Sequence, residues 1–293
     1  MNPLQETILI WYSKEKRDLP WRTTTDPYRI LVSEMMLQQT QVDRVLLKYK
    51  EFLIKFPTAK DLAAASSGEV IKAWQGLGFN RRALRLQEIA KQVSKKFPTT
   101  EKELLSLKGI GPYTASAISS FAFNQDVVVL DTNIRRVFHR IFLGTVKKDN
   151  ELLNKELELV AEKNLPYGRS RDWYNALMDL GATICLASNP KCTVCPVQKE
   201  CTFTKILEEA TPIEREELLK LTRVKNKQGV FKNSNRYYRG RILDYLRKEG
   251  TLPLKELEKH FREKYNKDVS FILVGLEKDK LISLKKDKIS LPG

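Results

Sequence analysis

Long apolar runs are absent from this 293-residue chain, and cysteine is scarce, with four residues in all. No stretch has the length and hydrophobicity of a membrane-spanning helix. The first residues also lack the apolar run and small-residue cleavage site of a signal peptide. We therefore expect a cytosolic protein without a membrane partner. At this length, we also expect more than one domain.

Acidic residues are too few to balance the basic ones. Asp and Glu number 36 against 52 Lys and Arg, which gives a formal net charge of +16 at pH 7 and an isoelectric point near 9.6. Such an excess favours a polyanionic partner, and nucleic acid is the first candidate. A basic surface that is only well solvated is the alternative, and composition does not decide between the two.

The few cysteines all lie within one short segment, which excludes a disulfide framework spread over the chain. Their spacing is C-x6-C-x2-C-x5-C, formed by Cys185, Cys192, Cys195 and Cys201. Four soft thiolates so close together indicate a metal site. The chemistry of the ligands alone suits either an iron-sulfur cluster or zinc.

Strand signals are few before residue 207, where short amphipathic helices alternate with Pro and Gly. Apolar spacing predicts helices over 42–56 and 81–97, each followed by a proline. The apolar run 127–130 could form a buried strand, but it is only four residues long and leads directly into Asp131, so we interpret it as a packed connection. The first two-thirds of the chain are therefore predicted to be all-α.

About the last seventy residues show a different pattern. Between Arg223 and Arg241 there are seven basic residues and no acidic one, which indicates a flexible linker. Three helices are then predicted, followed by two short alternating runs around a charged turn; the helices cover 238–248, 254–264 and 270–281. This order resembles a winged helix-turn-helix, a small α+β domain. A helical appendage for stability or protein contact is the alternative.

A glycine turn precedes another predicted helix at Leu107–Ile118, with the sequence LKGIGPYTASAI. Gly109 and Gly111 would form the turn, and free amides at the helix start would bind a DNA phosphate without reading sequence. A single GxG is usually only a turn, so this segment gains weight only from its context.

Two carboxylates are candidates for chemistry. Glu34 lies in the apolar stretch ILVSEMMLQQT, where desolvation would raise its pKa and keep a proton available. Asp131 follows VVVL and opens a helix, so it would cap that helix while the helix dipole favours its ionised form. The alternatives are a solvated glutamate and an aspartate that only caps. An acid and an anion are what cleavage of an N-glycosidic bond requires.

Block after block, these motifs resemble the MutY adenine glycosylases of the helix-hairpin-helix superfamily. The resemblance covers about residues 8–202 and rests on LPWR, DPY, SEMMLQQTQV, GLG, the hairpin, DTN and the cysteine spacing. It implies a six-helix barrel joined to a domain with a 4Fe-4S cluster. The predicted domains are a cluster domain from 1–22 and 127–205, a barrel over 23–126, a basic linker over 206–234, and a winged-helix-like domain over 235–293.

The same resemblance implies roles for individual residues. Glu34 would protonate the adenine, Asp131 would stabilise or transiently capture the sugar, and Asn133 would help order that site. Tyr113 stands where bifunctional relatives have a Schiff-base lysine, so we predict a monofunctional glycosylase. Lys108 would contact a phosphate or simply be solvated. The four cysteines would hold the 4Fe-4S cluster.

Two further residues would act beside the partner base. Gln39 matches the family glutamine that enters the duplex, and Phe79 stands where the family usually has the first tyrosine of GLGYY. Both residues could instead belong to the core. The chain departs from the family in three places: it has GLGFN instead of GLGYY, DTN instead of the commoner DGN, and a winged-helix pattern instead of the Nudix-like domain. These departures leave the partner-base preference open.

The resulting prediction is a monomeric, nucleoid-associated enzyme that acts on duplex DNA with mismatched or oxidised base pairs. It would remove adenine opposite 8-oxoguanine or guanine. Two alternatives stay open at this point: a mismatch thymine or uracil glycosylase on the same scaffold, and a noncatalytic iron-sulfur DNA-binding protein. Glu34 argues against the first alternative, and the presence of both carboxylates argues against the second.

Overall fold

The computed structural model describes residues 1–144, 151–221 and 230–293. Helices dominate the described residues, which confirms the predicted fold class. In chain order the elements are α1 (Pro3–Glu15), α2 (Pro27–Leu37), α3 (Val42–Lys55), α4 (Ala59–Ala64), α5 (Ser67–Ala73), α6 (Arg81–Val93), α7 (Glu101–Leu105), α8 (Pro112–Phe123), α9 (Thr132–Phe138), α10 (Glu151–Lys163), α11 (Ser170–Thr183), α12 (Thr202–Glu209), α13 (Pro212–Leu221), α14 (Asn235–Glu249), β1 (Leu252–Pro253), α15 (Leu254–Tyr265), α16 (Ser270–Lys278), β2 (Ser283–Lys285) and β3 (Lys288–Ser290).

The chain divides into two compact units. The first comprises Met1–Ile30, Thr99–Leu105 and Gly111–Asn226. The second comprises Leu31–Pro98, Ser106–Ile110 and Lys227–Gly293. The four domains expected from the sequence stay a prediction.

In the first unit, α11 forms the centre and packs against α1, α8 and α9. Trp173 and Tyr174 of α11 and Phe138 of α9 are completely buried there. A π-helical turn, His139–Leu143, continues α9. The segment 127–130 has no regular structure and Val129 is fully buried, which confirms the packed connection.

The second unit begins with helices that follow the predicted periodicity. The helix expected over 42–56 is α3, and Phe56 is its C-cap. The helix expected to reach residue 97 is α6, which ends four residues earlier. The Ser94 hydroxyl donates to the Lys91 carbonyl at 3.2 Å, a local bond that competes with continuation of the helix.

The same unit contains the C-terminal part of the chain. The three helices predicted there are α14, α15 and α16, and the charged turn joins β2 to β3. Antiparallel pairing gives the sheet order β1-β3-β2, with Ile289 opposite both Leu252 and Leu284. Helix, strand, two helices and a hairpin in this order form a winged-helix arrangement. We call residues 235–293 the C-terminal domain.

The predicted basic linker contains more helix than its composition indicated. The end of α12 and all of α13 lie within its first sixteen residues. Residues 222–229 lie outside the described residues, and three of the seven basic side chains lie among them. In the part of the chain that the structure describes, no helix has the length and hydrophobicity to cross a bilayer.

Candidate active site and cysteine centre

Asp131 caps α9, as the sequence indicated. Its backbone is extended, and Oδ1 accepts a hydrogen bond from the Ile134 amide at 2.6 Å. The Asn133 side chain donates to Oδ2 at 3.3 Å. The carboxylate is thus fixed at the helix start by main-chain and side-chain donors together.

Desolvation raises the pKa of Asp131 above its ordinary value of 3.8. The hydrogen bonds from Ile134 and Asn133 and the charge of Arg136 act in the opposite direction, but burial is the largest influence. The helix dipole alone would favour the charged form. The carboxylate is therefore harder to ionise than a capping role alone would make it.

Asn133 connects the capping carboxylate to the cysteine segment. Its Oδ1 accepts from Arg136 Nη2 at 2.8 Å, and the same Nη2 donates to the Gly181 carbonyl at 2.7 Å. Arg136 Nε donates to the Cys185 carbonyl at 2.8 Å. One side chain, Arg136, therefore joins the start of α9 to the end of α11 and to the first cysteine.

The contact between α9 and α11 requires a glycine at position 181. A Cβ built on Gly181 would lie 2.8 Å from the Cβ of Asn133 and 3.4 Å from Arg136 Nη2. Carbon atoms that close would force the two helices apart. Gly181 thus sets how closely α11 approaches the residue that orders Asp131.

The four cysteines line one cavity together with apolar side chains such as Val137 and Val197. Arg140 borders it: Nη1 lies 3.3 Å from Cys185 Sγ and donates to the Leu186 carbonyl at 2.7 Å. Burial, with a smaller effect from neighbouring thiols, raises the pKa of Cys195 to about 12. Thiols crowded in apolar surroundings resist ionisation unless a positive group is bound among them.

The four cysteine thiols are suitable ligands for the 4Fe-4S cluster that the family resemblance implied. Four thiols from one segment face a common cavity, with an arginine at its edge. In the described residues, no three metal-ligating side chains are grouped closely enough to hold a single ion. The structure brings the predicted ligands together around a cavity.

Glu34 lies in the second unit, in the middle of α2. Only 6% of its surface is exposed, and every residue from Ile30 to Met36 is buried. The sequence alternative of a solvated glutamate is therefore wrong.

Arg82, which the sequence analysis did not single out, holds the segment after Glu34. Its guanidinium donates to five main-chain carbonyls and one hydroxyl at 2.5–3.3 Å, those of Met35, Met36, Gln38, Leu77, Gly78 and Thr40. Burial lowers its pKa to about 10, so it still carries its charge at neutral pH. One buried cation thus joins the end of α2 to the turn that precedes α6.

Gln39 and Phe79 lie on the two segments that Arg82 joins. Both have left-handed backbones, with φ of 56° and 46°, although neither is glycine. Gln39 is exposed, and Phe79 is 49% exposed with its ring 5.4 Å from the Arg82 guanidinium carbon. Phe79 is therefore not a core residue, and its strained backbone presents it to solvent.

The predicted hairpin connects α7 to α8. Gly109 has a φ of 101°, and a Cβ there would lie 3.1 Å from Arg85 Cγ. Gly111 is the N-cap of α8 and is exposed, and Tyr113 lies in the first turn of that helix. Lys108 is exposed, and the Gln92 side chain bonds both its amide and its carbonyl at 3.0 Å.

Register could have identified some of the residues that sequence reasoning missed. Arg82 falls on the buried stripe of α6, four, seven and eleven positions before three buried apolar residues: Leu86, Ile89 and Val93. Arg136 and Arg140 are one helical turn apart. Gly181 carried no local signal, because a helical glycine resembles any other until its neighbour is known.

The hairpin, the capping aspartate and the cysteine centre together define a class of DNA repair protein. The family model described as HhH-GPD superfamily base excision DNA repair protein matches residues 32–163. A solved structure of a thermostable thymine-DNA glycosylase is 33% identical with a TM-score of 0.64, covering 69% of this chain and 95% of that one. An endonuclease III structure trapped on DNA, 22% identical with a TM-score of 0.59, covers 70% of this chain and 95% of that one and supports the fold.

Curated relatives narrow the class further. The adenine DNA glycosylase of Mycolicibacterium smegmatis is 39% identical over 252 residues, which cover 84% of this chain and 81% of that protein. The adenine DNA glycosylase of Homo sapiens is 39% identical over 216 residues, which cover 69% of this chain but 40% of the human protein. The matched part of the chain thus covers less than half the length of the human protein. The chain belongs to the adenine DNA glycosylase family.

Proposed function

We propose that this DNA N-glycosylase removes adenine mispaired with 8-oxoguanine or guanine, by hydrolysing the N-glycosidic bond after the base leaves the stack. The observation that carries the proposal is the buried carboxyl group of Glu34. A buried carboxyl group, when protonated, can donate its proton to a leaving group. Purines leave more readily when a ring nitrogen is protonated, which is the chemistry that such an acid supplies.

Asp131 takes the complementary role. The bond breaks through an oxocarbenium-like state, and a fixed carboxylate near the sugar stabilises the developing positive charge. Its position at the start of α9, held by the Ile134 amide and by Asn133, supports that role. Asn133 is a positioning residue, since it orders the carboxylate and links it to Arg136.

Tyr113 makes the enzyme monofunctional, because a phenol cannot form a Schiff base with the opened sugar. Replacing it by lysine places an amine in the first turn of α8. We expect Tyr113→Lys, and not the wild type, to give a covalent complex with abasic DNA that borohydride traps. Trapping of the wild-type protein, or strong strand nicking by it, would contradict the proposal.

Gln39 and Phe79 act on the partner-base side of the duplex. Both are exposed on strained, well-held segments, a geometry that suits insertion between bases. Exposed glycines of the hairpin and Lys108 would contact phosphates and hold the duplex without reading its sequence. The enzyme would work as a monomer associated with the nucleoid.

Cys185, Cys192, Cys195 and Cys201 hold a 4Fe-4S cluster. When bound, the cluster supplies a rigid cross-link that holds the segment after α11. The residues fit it: four thiols line a cavity, and Arg140 lies beside Cys185, where it would balance negative charge on the ligands. We expect iron and acid-labile sulfide in equal amounts in the purified protein, and loss of both in Cys192→Ser. A stoichiometric zinc content without sulfide would contradict this assignment.

A thymine mismatch glycosylase is the second candidate, favoured by the similarity to the thermostable thymine-DNA glycosylase. The deciding experiment is single-turnover excision from duplexes with adenine opposite 8-oxoguanine, guanine or cytosine, and with thymine or uracil opposite guanine. We expect adenine opposite 8-oxoguanine to be removed fastest. Removal of thymine or uracil alone would show that adenine is not the substrate. No excision from any duplex would favour a noncatalytic role.

A further inference from the structure

The C-terminal domain is part of the second unit and shares a hydrophobic core with α5. Ile71 of α5, fully buried, belongs to the same cluster as Leu243, Leu246 and Leu276, and Leu84 of α6 packs against this cluster. A Cβ on Gly68 would clash with the Pro292 carbonyl, so residue 292 also approaches the start of α5 closely. The other buried members of the cluster belong to the C-terminal domain, so Ile71 joins α5 to the core of that domain.

Polar contacts continue this interface to the residues directly after Phe79. Arg247 of α14 donates from Nη2 to the Asn80 side chain and to the Ile71 carbonyl, both at 3.1 Å. Its other nitrogen, Nη1, donates to Asp244 at 2.8 Å. Arg247 is 8% exposed, so its bond to Asn80 is shielded from water.

The next residue along the chain is held as well. Arg81 lies 3.5 Å from Asp279 at the end of α16, and the same carboxylate pairs with Arg239 of α14. Two consecutive residues, Asn80 and Arg81, therefore contact two different helices of the C-terminal domain.

Phe79 is thus fixed from both sides. The Arg82 amide donates to the Phe79 carbonyl at 2.8 Å, and the Ala83 amide donates to the Asn80 carbonyl at 3.0 Å. These bonds form the first turn of α6 while Phe79 keeps its left-handed backbone. A left-handed non-glycine residue costs free energy and persists only when its neighbours hold it.

We propose that the C-terminal domain is a positioning element for partner-base recognition, which acts by holding Asn80 and Arg81 so that Phe79 keeps its exposed, left-handed conformation. The proposal rests on the role of Phe79 given under the proposed function. It assigns the domain a mechanical task inside the protein, and the domain needs no contact with the lesion to perform it.

The test uses two variants that break the contact from opposite sides, Arg247→Met and Asn80→Ala, in the full-length protein. Lys255→Ala, an exposed residue of α15, is the matched control. Single-turnover excision of adenine is measured opposite 8-oxoguanine and opposite an abasic-site analogue, which offers no partner base. We expect each variant to lower the first rate about tenfold, the effect of one hydrogen bond to a charged group, and to leave the second unchanged.

The role of Phe79 is separated from general destabilisation by combining variants. In a Phe79→Ala background, Arg247→Met should not lower the excision rate further, because the side chain that Arg247 helps to position is already gone. The proposal would be overturned if the excision rate fell equally on both duplexes, or if the two substitutions lowered the rate additively. Asn80→Ala carries the test if Arg247→Met does not fold.

Hydrogen exchange gives a readout that does not depend on activity. The amides of Arg82 and Ala83 should exchange faster in Arg247→Met and Asn80→Ala than in the wild type, and at the wild-type rate in Lys255→Ala. Unchanged exchange in both variants would overturn the proposal. If the wild type removes adenine from no duplex, the proposed function fails, and the partner-base role fails with it. Exchange then still decides whether the domain holds Phe79.

Discussion

Two arginines, Arg136 and Arg82, hold segments that carry candidate site residues, but with different partners. At the start of α9, Arg136 bonds a side chain, Asn133, and two main-chain carbonyls, and it lies near a carboxylate. At the Gln39 and Phe79 segments, Arg82 bonds five carbonyl oxygens and one hydroxyl. The first arrangement influences the pKa of a carboxyl group, while the second holds the shape of the backbone.

The difference suits the two tasks. A carboxylate that stabilises charge on the sugar needs a controlled pKa, and hydrogen bonds from Asn133 and the charge of Arg136 adjust it against desolvation. Residues that insert into a base stack need a rigid backbone, and a planar guanidinium can bind several carbonyls at once. Substitutions at each segment can therefore separate loss of shape from loss of charge control.

The largest effect is expected from Arg82→Met. It would leave several buried carbonyls without a donor and cost about 3 kcal/mol or more of unfolding free energy. Arg82→Lys should recover only part of this, because an ammonium cannot span both segments. Urea unfolding measures both variants, with the exposed Lys91→Met on the same helix as the control. Wild-type stability in Arg82→Met would refute the role given to this residue.

A smaller effect is expected from Gly181→Ala. The added methyl group meets the Asn133 Cβ, and overpacking of this kind costs about 1–3 kcal/mol. Excision should fall with it, since α9 and Asp131 shift. The matched control is Gly240→Ala in α14, where a Cβ has open space and alanine should be neutral or stabilising. Similar changes in the midpoint of thermal unfolding for the two variants would contradict the close approach of α9 and α11.

The smallest effect is a shift in pH dependence. Excision needs ionised Asp131, so its rate should fall as pH drops through the raised pKa of this carboxyl. Asn133→Ala removes a hydrogen bond that lowers this pKa, so the acidic limb of the single-turnover profile should move to higher pH. Thr132→Ala, an exposed neighbour, should leave the limb in place. If the acidic limb moved to lower pH in Asn133→Ala, the hydrogen bond would not lower the pKa of Asp131 as we propose.

For folding, the sign is opposite to that for activity. A raised pKa means that ionising Asp131 is less favourable in the folded chain than in the unfolded one. Its contribution to stability is therefore present below the ordinary pKa and is lost as pH rises through the folded value. The residue thus becomes active in the pH range where it ceases to stabilise the fold.

Much of the fold could be predicted because it is encoded locally. Apolar spacing placed α3 and the three helices of the C-terminal domain, and the Asp131 cap followed from a single residue before a helix. The predicted end of α6 was wrong because the Ser94 side chain competes with the helix, and apolar periodicity does not reveal such a local hydrogen bond.

Features that depend on distant neighbours could not be predicted. Gln39 and Phe79 are left-handed without being glycine, and the sequence does not show that the Arg82 guanidinium bonds carbonyls beside both of them. The junction between the C-terminal domain and α5 is equally hidden, because Ile71 looks like any buried residue of a short helix.

The central claim is that Glu34 is the acid that makes adenine leave. Its most direct test is single-turnover excision of adenine opposite 8-oxoguanine by wild type and by Glu34→Gln, with binding of the same duplex measured in parallel. We predict a rate loss of at least about 100-fold for Glu34→Gln and unchanged DNA binding. A Glu34→Gln variant that excises adenine at the wild-type rate would contradict the account.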